Sequence, residues 1–202
     1  MRVKICGITN MEDALQAAYN GAWALGFIFY KKSPRYVSPS KVRKIVEQLP
    51  PFVTPVGVFV DSKPGAVKDI CQFTRIHTIQ LHGDEDPNYC KNFKNEKIIK
   101  AFRVSDKFDF SVISQYKVDA FLFDTFQENA HGGSGKTFNW NMLEKYTSQK
   151  PYILSGGLTV KNLKNALEQL KPFALDVSSG VEKSPGVKDS REVRAFIDFA
   201  TK

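Results

Sequence analysis

The chain of 202 residues carries 29 lysines and arginines against 21 aspartates and glutamates, a formal net charge of +8. Its 42% apolar and 25% charged residues exclude a disordered chain, a collagen and a disulfide scaffold. No apolar run approaches the roughly 18 residues of a membrane span, and the first residues lack the apolar stretch and cleavage site of a signal peptide. We therefore expect a cytoplasmic protein with no membrane partner.

Eight short apolar segments recur along the chain, and each is typical of a strand that is covered on both faces. They lie at 3–6, 24–29, 54–60, 77–82, 97–102, 119–124, 152–157 and 174–179. Amphipathic helices are predicted after the first segment (capped by Asn10), the second (from Ser38 and Pro39), the seventh (capped by Thr159) and the eighth (190–200). The helical patterns after the third to sixth segments are weaker.

Strands that alternate with helices indicate a parallel sheet. Eight such units without a dividing linker predict one α/β domain over residues 1–202, a single-domain (β/α)₈ TIM barrel with eight parallel strands. A doubly wound open sheet is the alternative. In a barrel the site lies where the strands end and the βα-loops begin.

Polar residues at those strand ends are the candidate site residues. Cys6 ends the first strand, His82 the fourth and Asp124 the sixth, whereas Asp176 interrupts the eighth and Arg35 lies in the second loop. Four of the five have a structural alternative: Cys6 as a small packing residue, Asp124 as a loop cap, and His82 and Asp176 as hydrogen-bonded supports. Cys71, inside a predicted helix, and Cys90, near another, are predicted to be packing residues. No cysteine has zinc-ligand spacing with a histidine.

Two glycine-containing loops favour a phosphorylated substrate. Gly156 and Gly157 follow the seventh strand, and Ser178, Ser179 and Gly180 follow the eighth. Glycines let backbone N–H groups approach an anion closely, and the loops after strands seven and eight are the usual phosphate site of this fold.

The segment HGGSGKT at 131–137 resembles the end of a nucleotide-binding P-loop. The full pattern needs a glycine five residues before Gly135, where this chain has Ala130. We therefore interpret the segment as a flexible loop over the site.

The net positive charge of the chain is compatible with two kinds of partner, a nucleic acid or a small anionic substrate. Because the basic residues are scattered, the small phosphorylated substrate is favoured and nucleic acid is not expected.

The ordered set of motifs resembles the phosphoribosylanthranilate isomerases of tryptophan biosynthesis over nearly the whole chain. The segments that carry the resemblance are VKICGIT (3–9), ALGFIFYKKSPRYVSP (24–39), VGVFVD (56–61), QLHGDE (80–85), IKAFRV (99–104), FDTFQENAHGGSGKTFNW (123–140), LSGGLT (154–159) and DVSSGVEKSPGVKD (176–189). These enzymes carry out an Amadori rearrangement of N-(5-phosphoribosyl)anthranilate to 1-(2-carboxyphenylamino)-1-deoxyribulose 5-phosphate on a single-domain barrel.

The resemblance implies a role for each candidate. Cys6 becomes the general base, Asp124 the general acid, and Arg35 the partner of the anthranilate carboxylate. The phosphate group of the substrate would be bound by Gly156, Gly157, Ser178, Ser179 and Gly180. His82 and Asp176 would line the site, with less definite roles. No metal or cofactor is implied, because the imine formed on ring opening is itself the electron sink. The chain is expected to be a monomer or a homodimer.

Two alternatives remain open at this point. One is another phosphosugar isomerase or epimerase on the same barrel, although a metal-dependent one would need several histidine and acidic ligands at strand ends. The other is a non-catalytic phosphate- or nucleic-acid-binding barrel, which would keep the glycine loops but would not need both Cys6 and Asp124.

Overall fold

The computed structural model describes residues 1–105, 107–125 and 140–201. The HGGSGKT segment at 131–137, predicted to form a loop over the site, lies outside them. Eight parallel strands close into a barrel in chain order, and the last strand pairs back with the first. They are β1 (Arg2–Cys6), β2 (Ala24–Ile28), β3 (Thr54–Phe59), β4 (Thr78–Leu81), β5 (Lys97–Val104), β6 (Ala120–Thr125), β7 (Tyr152–Ser155) and β8 (Ala174–Val177).

The predicted eight-stranded parallel barrel is thus confirmed, and the open sheet is excluded. The α-helices are α1 (Met11–Tyr19), α2 (Pro39–Val46), α3 (Pro64–Thr74), α4 (Pro87–Cys90), α5 (Val160–Gln169) and α6 (Ser190–Thr201). Two weak helical patterns correspond to shorter elements: the described residues contain 3₁₀ helices at Phe110–Gln115 after β5 and Trp140–Lys145 before β7. None of the described helices is long and apolar enough to cross a bilayer.

Helix starts follow the predicted capping chemistry. The Asn10 side chain accepts a hydrogen bond from the Asp13 backbone N–H at 2.8 Å, and Asn162 accepts one from the Thr159 N–H at 2.8 Å. These bonds satisfy N–H groups that the first helical turn leaves unpaired. The caps fix where each helix leaves its βα-loop, and therefore where the loop residues stand.

One short hairpin was not predicted. After β8, a single 3₁₀ turn at Ser179–Val181 leads into β9 (Glu182–Ser184), which pairs antiparallel with β10 (Val187–Lys188). The sequence there, EKSPGVK, is polar and contains proline and glycine, so it reads as a loop. The hairpin matters because it places Glu182 and Lys188 beside the ends of β1 and β8.

The barrel wall separates two apolar regions. Residues that face outward from the strands pack against the helices in a large cluster that includes Val3, Ile5, Phe27 and Phe123. Residues that face inward form a smaller cluster of Val56, Ile99, Ala101, Leu122, Ile153 and Ala174. Because side chains alternate along a strand, the inward row of β1 carries Lys4 and Cys6 instead of apolar residues. Polar groups inside the barrel therefore include Lys4 and Asp176 on β1 and β8, and Gln80 on β4 across from them.

Candidate active site

Cys6 is the last residue of β1 and is 6% exposed. It pairs in register with Gly26 of β2. The next residue, Gly7, has a φ of +78°, and a Cβ there would come within 2.7 Å of the Arg35 Cδ and 3.0 Å of the Ser178 Oγ. Glycine at this position thus lets the Arg35 side chain and the loop after β8 close over the end of β1, next to the thiol.

A buried ion pair lies below Cys6 inside the barrel. The Lys4 Nζ is 2.8 Å from the Asp176 Oδ1, and the two side chains are 4% and 5% exposed. The Ser155 Oγ donates to the other carboxylate oxygen of Asp176 at 3.2 Å. Burial works to lower the pKa of Lys4, but the negative charges of Asp176 and Cys6 outweigh it and raise that pKa. Lys4 therefore carries a positive charge in the barrel interior at neutral pH.

The electrostatics of Cys6 combine two opposed effects. Burial raises the pKa of the Cys6 thiol, and the nearby charge of Lys4 lowers it in part. The net direction is upward, so a thiol at this position depends on its cationic neighbours to ionise near neutral pH.

On the far side of the barrel, Asp124 and His82 are in contact. The His82 Nε2 lies 3.2 Å from the Asp124 Oδ2, and the Gln80 Nε2 lies 2.7 Å from the His82 Nδ1. The His82 ring thus connects the Gln80 amide to the Asp124 carboxylate through its two nitrogens. Gln80 is fully buried, so the chain of three side chains fixes the direction from which Asp124 faces the barrel mouth.

Arg35 is held by a carboxylate from the unpredicted hairpin. Its Nε and Nη2 donate to Glu182 at 2.9 and 2.7 Å. Glu182 in turn accepts from the Lys188 Nζ at 2.9 Å, and the same ammonium donates to the backbone carbonyls of Cys6 and Ser178. The pair occupies one edge of the guanidinium, which leaves the edge formed by Nη1 and Nη2 for a second carboxylate.

The two glycine loops after β7 and β8 are in contact with each other. Gly156 and Gly157 have φ values of +91° and +62°, the left-handed region that favours glycine. A Cβ on Gly180 would overlap the Leu158 carbonyl oxygen, so the loop after β8 packs against the loop after β7 only because residue 180 is glycine. The buried Ser178 Oγ has no hydrogen-bond partner within the described ranges. Ser179 starts the 3₁₀ turn, whose N-terminus lies at this junction.

The barrel therefore gathers every candidate of the sequence analysis at the carboxyl ends of its strands. Arg35, Ser178 and Cys6 meet at the end of β1, whereas Asp176 lies one layer deeper beside Lys4. Cys71 and Cys90 are buried in the outer core, as predicted for packing residues. Among the residues that the structure describes, no three His, Cys, Asp or Glu side chains converge as metal ligands.

Sequence reasoning missed Lys4, Gln80, Glu182 and Lys188. A period of two from Cys6 would have marked Lys4 as inward-facing, and the same period from His82 would have marked Gln80. Glu182 and Lys188 carried no local signal, because the irregular hairpin brings them back to the barrel mouth.

Comparison with known proteins supports one family over the whole chain. The family model for N-(5'-phosphoribosyl)anthranilate (PRA) isomerase matches residues 3–199. An N-(5'-phosphoribosyl)anthranilate isomerase of Thermotoga neapolitana is 51% identical over 203 residues, which cover 99% of this chain and 98% of that protein.

Solved structures agree with the sequence comparison. The phosphoribosyl anthranilate isomerase of Thermotoga maritima superposes with a TM-score of 0.89 at 42% identity, covering 100% of this chain and 98% of that one. A phosphoribosyl anthranilate isomerase in complex with reduced 1-(o-carboxyphenylamino)-1-deoxyribulose 5-phosphate superposes with a TM-score of 0.86 at 39% identity, with the same coverage.

Proposed function

Since the chain belongs to the N-(5'-phosphoribosyl)anthranilate isomerase family, we propose that Cys6 and Asp124 perform the proton transfers of that reaction. The chain is an isomerase of tryptophan biosynthesis that converts N-(5'-phosphoribosyl)anthranilate by an Amadori rearrangement. The assignment of roles rests on the position of the two side chains, which stand at the ends of β1 and β6 and face the same barrel mouth.

Asp124 acts first, as the general acid. Opening the aminofuranose ring needs a proton on the ring oxygen, while the nitrogen lone pair forms the C=N bond of a protonated imine. The carboxyl group of Asp124 supplies that proton. Its contact with His82 holds one carboxyl oxygen in a fixed direction, so the acid meets the ring oxygen without searching several rotamers.

Cys6 acts second, as the general base. The imine acidifies the neighbouring sugar C–H, and the Cys6 thiolate removes this proton to give an enolamine. The enolamine then tautomerises to the ketone product. The rearrangement involves no net oxidation or reduction. The positively charged imine accepts the electron pair that the broken C–H bond releases, so this mechanism requires no metal or cofactor.

Two anchors hold the sugar between acid and base. The phosphate binds at the junction of the loops after β7 and β8, where Gly156, Gly157, Ser178, Ser179 and Gly180 lie. The anthranilate carboxylate binds the free edge of Arg35, whose other edge is held by Glu182. With both charged ends bound, the sugar is already oriented between acid and base. Less entropy is then lost when the transition state forms.

The remaining parts of the proposal concern partners and location. A substrate with a phosphate and a carboxylate accounts for cationic side chains at the mouth, so no nucleic acid is expected. Binding to random DNA with a steep salt dependence would argue against this view. A cytoplasmic location and a monomeric or homodimeric state remain predictions.

One experiment tests the proposal. Purified protein, treated with a chelator, is mixed with freshly generated phosphoribosylanthranilate, and the loss of anthranilate-type fluorescence is followed. We expect turnover in the wild type and a loss of at least about two orders of magnitude in kcat for Cys6→Ala. Cys71→Ala, a buried thiol on α3, is the matched control and should keep turnover near wild type. A Cys6→Ala variant with near-normal turnover would show that Cys6 is only a packing residue.

A further inference from the structure

The interior of the barrel holds a cation that the roles above do not use. Lys4 stands two residues before Cys6 on the same inward face of β1 and is 3% exposed. A lysine is rarely buried without a partner, because taking an ammonium out of water is unfavourable until an opposite charge compensates for it. Asp176 supplies one partner at 2.8 Å. An apolar pair of similar size would avoid this desolvation cost. We therefore look for a reason other than stability for the buried Lys4–Asp176 pair.

Gly26 shows how closely the cation and the thiol are associated. A Cβ built on Gly26 would lie 2.7 Å from the Cys6 Sγ and 3.1 Å from the Lys4 Nζ. The Cys6 sulfur and the Lys4 ammonium therefore both border the small space next to the Gly26 Cα, which a side chain would otherwise fill. Only a residue without a side chain leaves room for both atoms, so Gly26 of β2 allows the ammonium and the sulfur to lie close to each other.

Each charged group near Cys6 has an ion-pair partner, Lys4 included, so the position of its charged atom decides which one acts on the sulfur. Lys188, from β10, donates to the Cys6 backbone carbonyl and is ion-paired with Glu182. Arg35, from the loop after β2, is paired with the same carboxylate. Asp176, from β8, is paired with Lys4 and accepts from Ser155. Of these groups, Lys4 is the cation whose charged atom lies beside the sulfur on the barrel interior.

We propose that Lys4 is the positioning residue that stabilises the thiolate of Cys6, and that Asp176 holds the Lys4 ammonium in place. The proposal deepens the assignment of Cys6 as the base and rests on it for its catalytic meaning. Lys4 transfers no proton: the proton leaves the sugar carbon for the sulfur, and Lys4 keeps its three hydrogens throughout. Asp176 thereby acts through Lys4 and does not need to touch the reacting atoms.

The charge balance around the sulfur agrees with this geometry. Burial raises the pKa of the Cys6 thiol, and the charge of Lys4 is the largest influence in the opposite direction. Asp176 and Cys6 together raise the pKa of Lys4 above its ordinary value, so Lys4 carries its positive charge at neutral pH. Without Lys4, the pKa of Cys6 would lose the largest of the influences that counteract burial, and it would rise further.

The test is a titration of Cys6 without substrate. Wild type and Lys4→Gln are treated with iodoacetamide across a pH series, and alkylation of the Cys6 peptide is quantified by mass spectrometry, which separates it from Cys71 and Cys90. Loss of an adjacent opposite charge shifts a pKa by about one to three units. We therefore expect the midpoint of Cys6 alkylation to rise by about one to three pH units in Lys4→Gln. An unchanged or lower midpoint overturns the proposal.

Lys100→Gln is the matched control. Lys100 is 1% exposed and is paired with Glu85 at 2.8 Å, but it lies on the outer side of the barrel wall and not beside the sulfur. Its loss should lower the melting temperature and leave the Cys6 midpoint unchanged. A shift in Lys100→Gln equal to that in Lys4→Gln would mean that any lost buried lysine disturbs Cys6, and it would overturn the proposal.

A second variant covers the case in which Lys4→Gln does not fold. Lys4→Met combined with Asp176→Asn removes both buried charges, and its midpoint should still rise because the Lys4 charge affects Cys6 more strongly than that of Asp176 does. A midpoint at or below that of wild type overturns the proposal. The titration uses no substrate, so a failure of Cys6 as the base would appear in the turnover of Cys6→Ala and not here.

Discussion

Gly26 stands opposite Cys6 in the ladder between β1 and β2, and a Cβ on Gly26 would lie 2.7 Å from the Cys6 sulfur. It would also lie 3.1 Å from the Cys6 Cα, a backbone atom that cannot turn away. The position of the thiol at the barrel mouth therefore depends on a missing side chain in the neighbouring strand. No feature of β1 alone sets it.

The first prediction is that Gly26→Ala displaces Cys6. Overpacking of this kind costs about 1–3 kcal/mol, and a shift of the base by a fraction of an ångström lowers kcat by about 10- to 100-fold. Gly57→Ala is the control, because its Cβ would meet the ring of Phe59 at 2.8 Å on the outer side of β3. Gly57→Ala should lower the melting temperature with little change in kcat. Equal kcat losses in the two variants would argue that general strain, and not the thiol, is responsible.

The second prediction concerns the hold of Glu182 on Arg35. Arg35→Ala should raise KM strongly, and Glu182→Gln should raise it by a smaller factor because the guanidinium loses its fixed direction but keeps its charge. Steady-state kinetics would measure both. Arg43→Ala removes a half-buried arginine of α2 that pairs with Glu47 at the end of that helix and serves as the control with unchanged KM. If Arg35→Ala leaves KM unaltered, Arg35 does not bind the carboxylate.

The third prediction links the same carboxylate to acid stability. Burial works to raise the pKa of Glu182, but hydrogen bonds from Arg35 and Lys188 outweigh it and lower that pKa. A carboxylate with a lowered folded pKa stabilises the fold above its unfolded pKa of about 4.3 and loses this effect as the pH falls through the folded pKa.

Denaturant unfolding of wild type and Glu182→Gln should therefore differ most near neutral pH and converge in acid. Glu168→Gln, which removes an exposed partner of Lys164 at 3.9 Å, should show almost no difference at any pH. A gap between wild type and Glu182→Gln that stays constant down to strong acid would contradict the ionised pair.

The fourth prediction concerns the contact between the two glycine loops. Gly180→Ala would push the loop after β8 away from the Leu158 carbonyl, so it should raise KM and the inhibition constant of inorganic phosphate together. Gly65→Ala is the control, since a Cβ there meets nothing within 4 Å. Wild-type phosphate inhibition in Gly180→Ala would place the phosphate elsewhere.

The sequence was most informative where burial determines structure. The eight strands were predictable because they are short, mostly apolar segments without strict alternation, as is typical of strands covered on both faces. The 3₁₀ helices after β5 and before β7 were not, because the apolar spacing around Phe110–Gln115 fits either helix type. Cys6 and Asp124 could be identified as strand-end polar residues, whereas their partners could not.

Two kinds of partner stayed hidden for different physical reasons. Lys4 lies inside a segment that reads as apolar, and its role depends on β2 and β8 closing around it. Glu182 depends on a hairpin whose turn contains Gly186 at a φ of +81°, so its distance from Arg35 is a tertiary property. Contacts between residues more than a hundred positions apart leave no periodicity in the chain.

The central claim is that Asp124 is the acid that opens the sugar ring, and Asp124→Asn tests it most directly. The amide keeps the size of the side chain and its contact with His82 but cannot donate an acidic proton. Asp119→Asn makes the same change at the opposite end of the barrel wall, just before β6, where the carboxylate pairs with Lys97.

The measurement is kcat and KM for phosphoribosylanthranilate by loss of fluorescence. We predict that Asp124→Asn loses at least about two orders of magnitude in kcat with KM close to that of wild type, while Asp119→Asn keeps its kcat. A kcat for Asp124→Asn within a few-fold of wild type would contradict the assignment of Asp124 as the general acid.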